Sequence, residues 1–264
     1  MIRSLLGLRI NPSPDRSLRD QIREAARLGA KGIVLDAAGD LSPDRLSETG
    51  RRELRHLLRT VELGLIALNL PTRRPFDTDE QLDDRLARAD RAFAMAYELG
   101  TPLVLARVGA VPPEAEAPRR EVYTRALGEL ARRADHRGVR LAVETGAESG
   151  EVLRGFLDTL GAPALAASVD PAALLRMGHD PVAAVIALGE WVAHAYANDA
   201  TGPSGRAVIA NPRGFGFAPG VLDWEEYLGA LEEIDYRGYL TIWPDPALDQ
   251  ASQFSAIAER LKRY

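Results

Sequence analysis

Eight times along this chain a short apolar run gives way to a longer stretch whose apolar residues recur at helical spacing. The clearest instance spans 139–170. Its two runs, LAV and LAASV, each end in a carboxylate, Glu144 and Asp170, and Ala, Leu and Phe recur at helical spacing between them. A continuous apolar run of strand length is one covered on both faces, as in a parallel sheet. Parallel neighbours need a crossover, and the intervening helix supplies it. The alternation fills all 264 residues with no linker-like stretch or charge block. It predicts one domain, 1–264, folded as a single (β/α)8 TIM barrel. A doubly wound open sheet is the alternative, but no G-x-G-x-x-G phosphate loop follows the first strand.

The predicted strands are Leu5–Ile10, Gly32–Asp36, Leu65–Leu70, Pro102–Val108, Val139–Glu144, Leu165–Asp170, Trp191–Asn198 and Tyr239–Trp243. The predicted helices are Ser17–Leu28, Gly50–Leu63, Glu80–Leu99, 117–135, Glu148–Leu160, Pro181–Leu188, Asp223–Ile234 and Gln250–Leu261. Gly29, Gly64 and Gly100 stand where helices should stop. A Gly- and Pro-rich excursion, DATGPSGRAVIANPRGFGFAPG, follows the seventh strand, and its glycines precede a helix start that could bind an anion.

Composition narrows the function. The net charge of −5 argues against nucleic acid or an anionic membrane as the main partner. The absence of cysteine excludes disulfides, thiolate metal sites and cysteine nucleophiles. The first apolar run, in MIRSLLGLRI, is too short for a signal peptide, and no later run could span a bilayer, so a cytoplasmic location is expected. Neither lysine, Lys31 or Lys262, ends a strand, which disfavours Schiff-base chemistry.

In parallel barrels the carboxyl ends of the strands carry the site. Glu144 and Asp170 are therefore the candidate catalytic residues. Arg9 and Arg107 end strands one and four and suit planar, bidentate recognition of an anion. Asn69 and Asn198 end strands three and seven and could bond a sugar hydroxyl, while Tyr196 and Trp243 could form an aromatic wall. Each has a plainer alternative. The two acids could cap the following helices or pair with arginines, a guanidinium then standing in a cation's place. Asp170 precedes Pro171, which favours the first helical position. His194 could be a hydrogen-bonded interior histidine, the two asparagines could simply satisfy loop backbone, and the aromatics could fill space.

The order of these motifs resembles the xylose isomerase-like TIM barrel family, the sugar phosphate isomerases and epimerases. LGAKGIVLD, LAVET, ASVDPA, VAHAYANDA and GVLDWEEYLGALEEIDYRGYLTI are similar to its strands two, five, six and seven and its final helix and strand. The resemblance implies a small carbohydrate-like substrate and, by analogy, a homo-oligomer. It also implies one divalent cation, Mn²⁺, Mg²⁺, Co²⁺ or Zn²⁺, held by Glu, Asp, His and Glu. Glu144 and Asp170 fall on the first two ligand positions, but Tyr196 stands where the His is expected and Trp243 where the second Glu is expected. His194 or Asp245 could complete the metal set, and Asp199 is a further acid nearby. Isomerisation and epimerisation both begin with loss of a proton next to a carbonyl, which a carboxylate base performs and a cation assists. Two-base epimerisation needs the acid that Trp243 replaces, whereas aldose–ketose isomerisation runs with one, so Glu144 is the expected base and Asp170 the ligand or orienter. The competing expectation is a degenerate, metal-free barrel that binds a ligand or acts as a scaffold.

Overall fold

The computed structural model describes residues 5–11, 15–199, 222–246 and 249–263. Eight parallel strands close into a barrel in sequence order, each bonded to the next and the last to the first. The strands are β1 (Leu5–Arg9), β2 (Gly32–Asp36), β3 (Gly64–Leu70), β4 (Leu103–Ala106), β5 (Arg140–Glu144), β6 (Leu165–Val169), β7 (Val192–Tyr196) and β8 (Tyr239–Ile242). The helices are α1 (Leu18–Arg27), α2 (Glu48–Thr60), α3 (Leu82–Leu99), α4 (Ala117–His136), α5 (Gly150–Leu160), α6 (Pro171–Met177), α7 (Pro181–Leu188), α8 (Trp224–Glu233) and α9 (Gln250–Leu261). The single (β/α)8 barrel expected from the sequence is the fold.

Alternation along the strands divides the core in two. Residues such as Leu8, Ile33, Leu35, Val104, Leu141, Val169 and Ile242 face the helices and join the main apolar cluster. Their neighbours Val34, Ala67, Leu105, Ala142, Ala166 and Tyr196 face inward and fill the lumen. The register of β2 on β3 passes from Ile33↔Leu65 to Val34↔Ala67, skipping Ile66. That bulge turns Ile66 inward, over Gly7 and Gly32, where an added Cβ would lie 2.4 and 2.7 Å from it.

The differences from the sequence reading are local. Helix α2 begins at Glu48, because the Ser47 hydroxyl accepts from Gly50 N. It ends at Thr60, and Glu62 rather than a glycine takes the left-handed conformation there. Gly64 opens β3, where a Cβ would meet the Tyr239 hydroxyl at 2.9 Å. Helix α6 is an addition to the predicted helices, and it begins as the cap alternative for Asp170 implies: Asp170 closes the β6 run and at once caps a short helix with Pro171 at its first turn. The glycine-rich excursion at 199–220 lies, beyond Asp199, outside the described residues. Among the described residues no single helix is long and apolar enough to cross a membrane.

Two glycines separate close packing from mere flexibility. At Gly150, the start of α5, a Cβ would fall 2.4 Å from the Cα of Ala184 in α7, and backbone cannot step aside. At Gly128, inside α4, nothing lies within 4 Å. Gly150→Ala should therefore destabilise by about 1–3 kcal/mol. Gly128→Ala should stabilise by about 0.5–1 kcal/mol. Urea denaturation of the two variants checks both signs.

Candidate functional site

Each of the eight strands delivers a residue to one network at its carboxyl end or just beyond. Arg9 closes β1, Asp36 closes β2 and Asn69 lies near the end of β3. Arg107 follows β4, Glu144 closes β5 and Asp170 follows β6. Tyr196 closes β7 and Trp243 follows β8. Strand ends of a closed barrel converge, so residues far apart in sequence meet there.

The Arg9 guanidinium is the hub. Its Nη1 donates to Glu144 Oε1 at 3.2 Å and to the Tyr196 hydroxyl at 2.7 Å. Its Nη2 donates to Asp36 Oδ1 at 3.0 Å. Its Cζ lies 3.7 Å from the Trp243 ring centroid, a cation–π contact. Burial alone would lower the Arg9 pKa, but Tyr196, Glu144 and Asp36 outweigh it and raise the value. The Tyr196 hydroxyl donates in turn to Glu144 Oε1 at 2.8 Å. Burial and the neighbouring Glu144 raise the Tyr196 pKa far above that of a free phenol, so it stays a protonated donor.

Arg107 is the second cation. Its Nε donates to Glu144 Oε2 at 3.2 Å, and its Nη2 lies 3.7 Å from Asp170 Oδ2. Its side chain is 55% exposed, against 6% for Arg9 and 2% for Glu144. Arg107 therefore faces the solvent, and Arg9 does not. Asp170 Oδ1 accepts from Ala173 N at 3.1 Å, so the cap reading of this residue holds alongside its place in the network. Burial, then the charge of Glu144, raises the Asp170 pKa.

Trp243 is held at its backbone and at its ring. Its backbone N donates to Asn198 Oδ1, and its indole N–H to Asn11 Oδ1, both at 2.9 Å. Asn11 itself donates to the Pro244 carbonyl at 2.7 Å. Asn69 donates to Asp36 Oδ1 at 2.9 Å. The two asparagines expected to meet a ligand thus position the network. Asp36, Asn11, Ser168 and Thr241 were missed by sequence reasoning. Asp36 ends its strand in GIVLD just as the others end theirs, so a signal was present. Asp36 also lines an open cleft of about 780 Å³ beside the start of α1, shared with Arg16, Gln21 and Asp40.

The residues do not fit a divalent cation. Both oxygens of Glu144 already accept from guanidinium groups or a phenol, and the Trp243 indole has no lone pair to offer. His194, expected to help hold a metal with Glu144 and Asp170, is fully buried. Its Nδ1 pairs with the Ser168 hydroxyl at 2.8 Å and its Nε2 with that of Thr241 at 2.9 Å. Both ring nitrogens are thereby spent. Asp245 is exposed beyond β8, where its backbone exchanges hydrogen bonds with the Gln253 side chain. Asp199 accepts from Leu222 N at 3.2 Å. Among the described residues no three His, Asp or Glu side chains are so placed that they could hold a metal ion together.

Burial lowers the His194 pKa from 6.5 to about 3. The fold refuses a proton that the unfolded chain accepts below pH 6.5, so this group costs stability as pH falls from about 6.5 toward 3. Glu148, whose carboxylate accepts from Val111 N at 3.3 Å, works the other way. Burial raises it from 4.5 to about 7, so it costs stability as pH rises from 4.5 through 7. The two slopes oppose between 4.5 and 6.5. Their contributions cancel there, so relative to wild type Glu148→Gln should steepen the loss of stability toward acid and His194→Gln should lessen it. Each lost slope is about 1.4 kcal/mol per pH unit, and urea midpoints across pH 4–7 read it.

The family described as "Xylose isomerase-like TIM barrel" matches residues 22–264. Among solved structures, a xylose isomerase domain protein from Planctomyces limnophilus superposes with a TM-score of 0.80 at 20% identity, covering 98% of this chain and 95% of that one. The D-allulose 3-epimerase from Methylomonas sp., solved with D-allulose, gives 0.75 at 19% identity, covering 100% and 98%. A 3-keto-D-glucoside 4-epimerase from E. coli gives 0.75 at 13% identity, covering 99% and 100%. No curated protein sequence matches the chain significantly. The family match over nearly the full length and the closed barrel agree: this chain belongs to the xylose isomerase-like TIM barrel family.

Proposed function

We propose that this chain is a sugar isomerase/epimerase-like protein that takes a small polyol or keto-sugar at the carboxyl end of its barrel. The observation that carries the reading is the network itself: two arginines, three carboxylates and an aromatic ring converge where barrels of this kind place their sites. Relatives with the same fold include epimerases acting on D-allulose and on a 3-keto-D-glucoside.

The roles of the two acids exchange in this reading. Glu144, expected as the base, accepts from Arg9, Arg107 and Tyr196, so both of its oxygens are already engaged and neither is presented to a ligand's proton. Asp170, whose pKa is raised by burial and by the charge of Glu144, takes the base's place beside Arg107. Arg107, half in solvent and beside Asp170, binds the ligand's carbonyl or anionic oxygen. There it stabilises the charge that develops when the neighbouring proton leaves. With one base, the chemistry is of the aldose–ketose type. The saturation of Glu144 also favours a second reading, a barrel that binds such a ligand without turning it over.

Incubation with a panel of aldoses, ketoses and their acid and phosphate derivatives in D₂O tests both. Proton NMR should show loss of the hydrogen next to the carbonyl of one ligand. Asp170→Asn should slow that exchange by roughly 10²–10⁴-fold. Saturable binding without exchange would select the second reading, and no binding to any member of the panel would overturn both.

A further inference from the structure

We propose that Arg9 is the resident cation of this barrel, a guanidinium built into the chain in place of a divalent metal ion. The inference stands on the contacts of the Arg9 guanidinium and holds whichever ligand the mouth takes. Its observation is a coincidence of contacts. Tyr196 and Trp243 stand at the two positions where the family resemblance implies a histidine and a glutamate. Both of them hold the same guanidinium, Tyr196 through its hydroxyl at 2.7 Å and Trp243 through its ring at 3.7 Å. A histidine and a glutamate there would supply lone pairs to a metal. A phenol and an indole supply an oxygen acceptor and a π face to a planar cation.

The remaining partners complete the enclosure. Glu144 and Asp36 supply two carboxylates from β5 and β2. Asn69 fixes Asp36, Asn11 fixes the indole, and Asn198 fixes the Trp243 backbone. The direction of Arg9 follows from strand parity: it lies two residues after Gly7, whose inward face meets Thr241 and Ile66. A guanidinium keeps its charge at all working pH values, presents donors in a rigid fork, and cannot dissociate or be chelated. The barrel therefore carries a fixed positive charge against Glu144 without depending on metal supply.

The test asks whether the site accepts a free cation only after its own is removed. Wild-type protein should melt at the same temperature with Mn²⁺, with Mg²⁺ and with EDTA, because no differential binding means no stabilisation. Arg9→Ala should melt roughly 6–20 °C lower, the shift that an orphaned buried carboxylate produces in a chain of this size. Millimolar methylguanidinium or Mn²⁺ should recover roughly half of that loss saturably, where sodium chloride of equal ionic strength does not. Adding Glu144→Gln to Arg9→Ala should abolish the recovery.

Three results would overturn the proposal: saturable Mn²⁺ binding by the wild-type chain, wild-type melting of Arg9→Ala, or failure of every small cation to restore it. Should Arg9→Ala not fold, two measurements need no such variant. Mn²⁺ titration of the wild-type chain, followed by electron paramagnetic resonance, should show no stoichiometric site. Arg9→Lys, which keeps the charge and loses the fork, should fold, melt lower than wild type and ignore added cations. A Mn²⁺ response in either would count against the resident guanidinium.

Discussion

The ion pair between Arg9 and Glu144 is the constraint around which the carboxyl end of this barrel is arranged. Its two side chains are 6% and 2% exposed, so neither charge has water to fall back on. A buried pair of this kind gains little over apolar packing, yet losing one partner leaves a charge stranded at a cost of about 3–5 kcal/mol. The surroundings follow from that asymmetry. Tyr196 adds a hydrogen bond to each partner, Asp36 takes a second donor of Arg9, and Trp243 covers the guanidinium face. Arg107 supplies the second positive charge to Glu144 and remains open to solvent.

Beneath this layer the lumen changes character. Ser168, His194 and Thr241 form a small polar set in which each histidine nitrogen meets a hydroxyl. The neutral imidazole is the form such a site favours, since its hydroxyl partners give no compensation for a charge and burial opposes one. The other inward-facing residues Val34, Ala67, Leu105, Ala142 and Ala166 make an apolar plug. The charge is thus confined to one end, where loops and solvent can meet it.

The barrel was legible in the sequence because its evidence is local. Apolar runs, helical spacing and stop signals recur within a few residues of one another, and the strand ends marked by Glu144, Asp170, Arg9 and Arg107 followed from those runs. The contacts were not legible, because they are long-range: Arg9 and Glu144 are 135 residues apart, and Arg9 and Tyr196 187 apart. Parity could say that His194 points inward but not that two hydroxyls from β6 and β8 occupy its nitrogens. It could place Asn198 near the mouth but not show that its carbonyl is spent on Trp243. The boundary of α2 moved for a chemical reason, a serine cap that outweighed a glycine in the first turn.

The network also fixes when the molecule can become whole. Arg9 belongs to the first strand, Glu144 to the fifth, Tyr196 to the seventh, and Trp243 follows the last. On a growing chain, Glu144 emerges long before the phenol and indole that help to enclose its partner. An incomplete barrel would have to bury a carboxylate and a guanidinium without Tyr196 and Trp243, while the open edges of β1 and β7 stayed unpaired. Closure by β8 resolves both faults at once, by joining the sheet and placing the ring over the cation. Partial barrels are thereby penalised electrostatically as well as by their unpaired edges, and a chain cut short of its final strand carries a built-in mark of incompleteness.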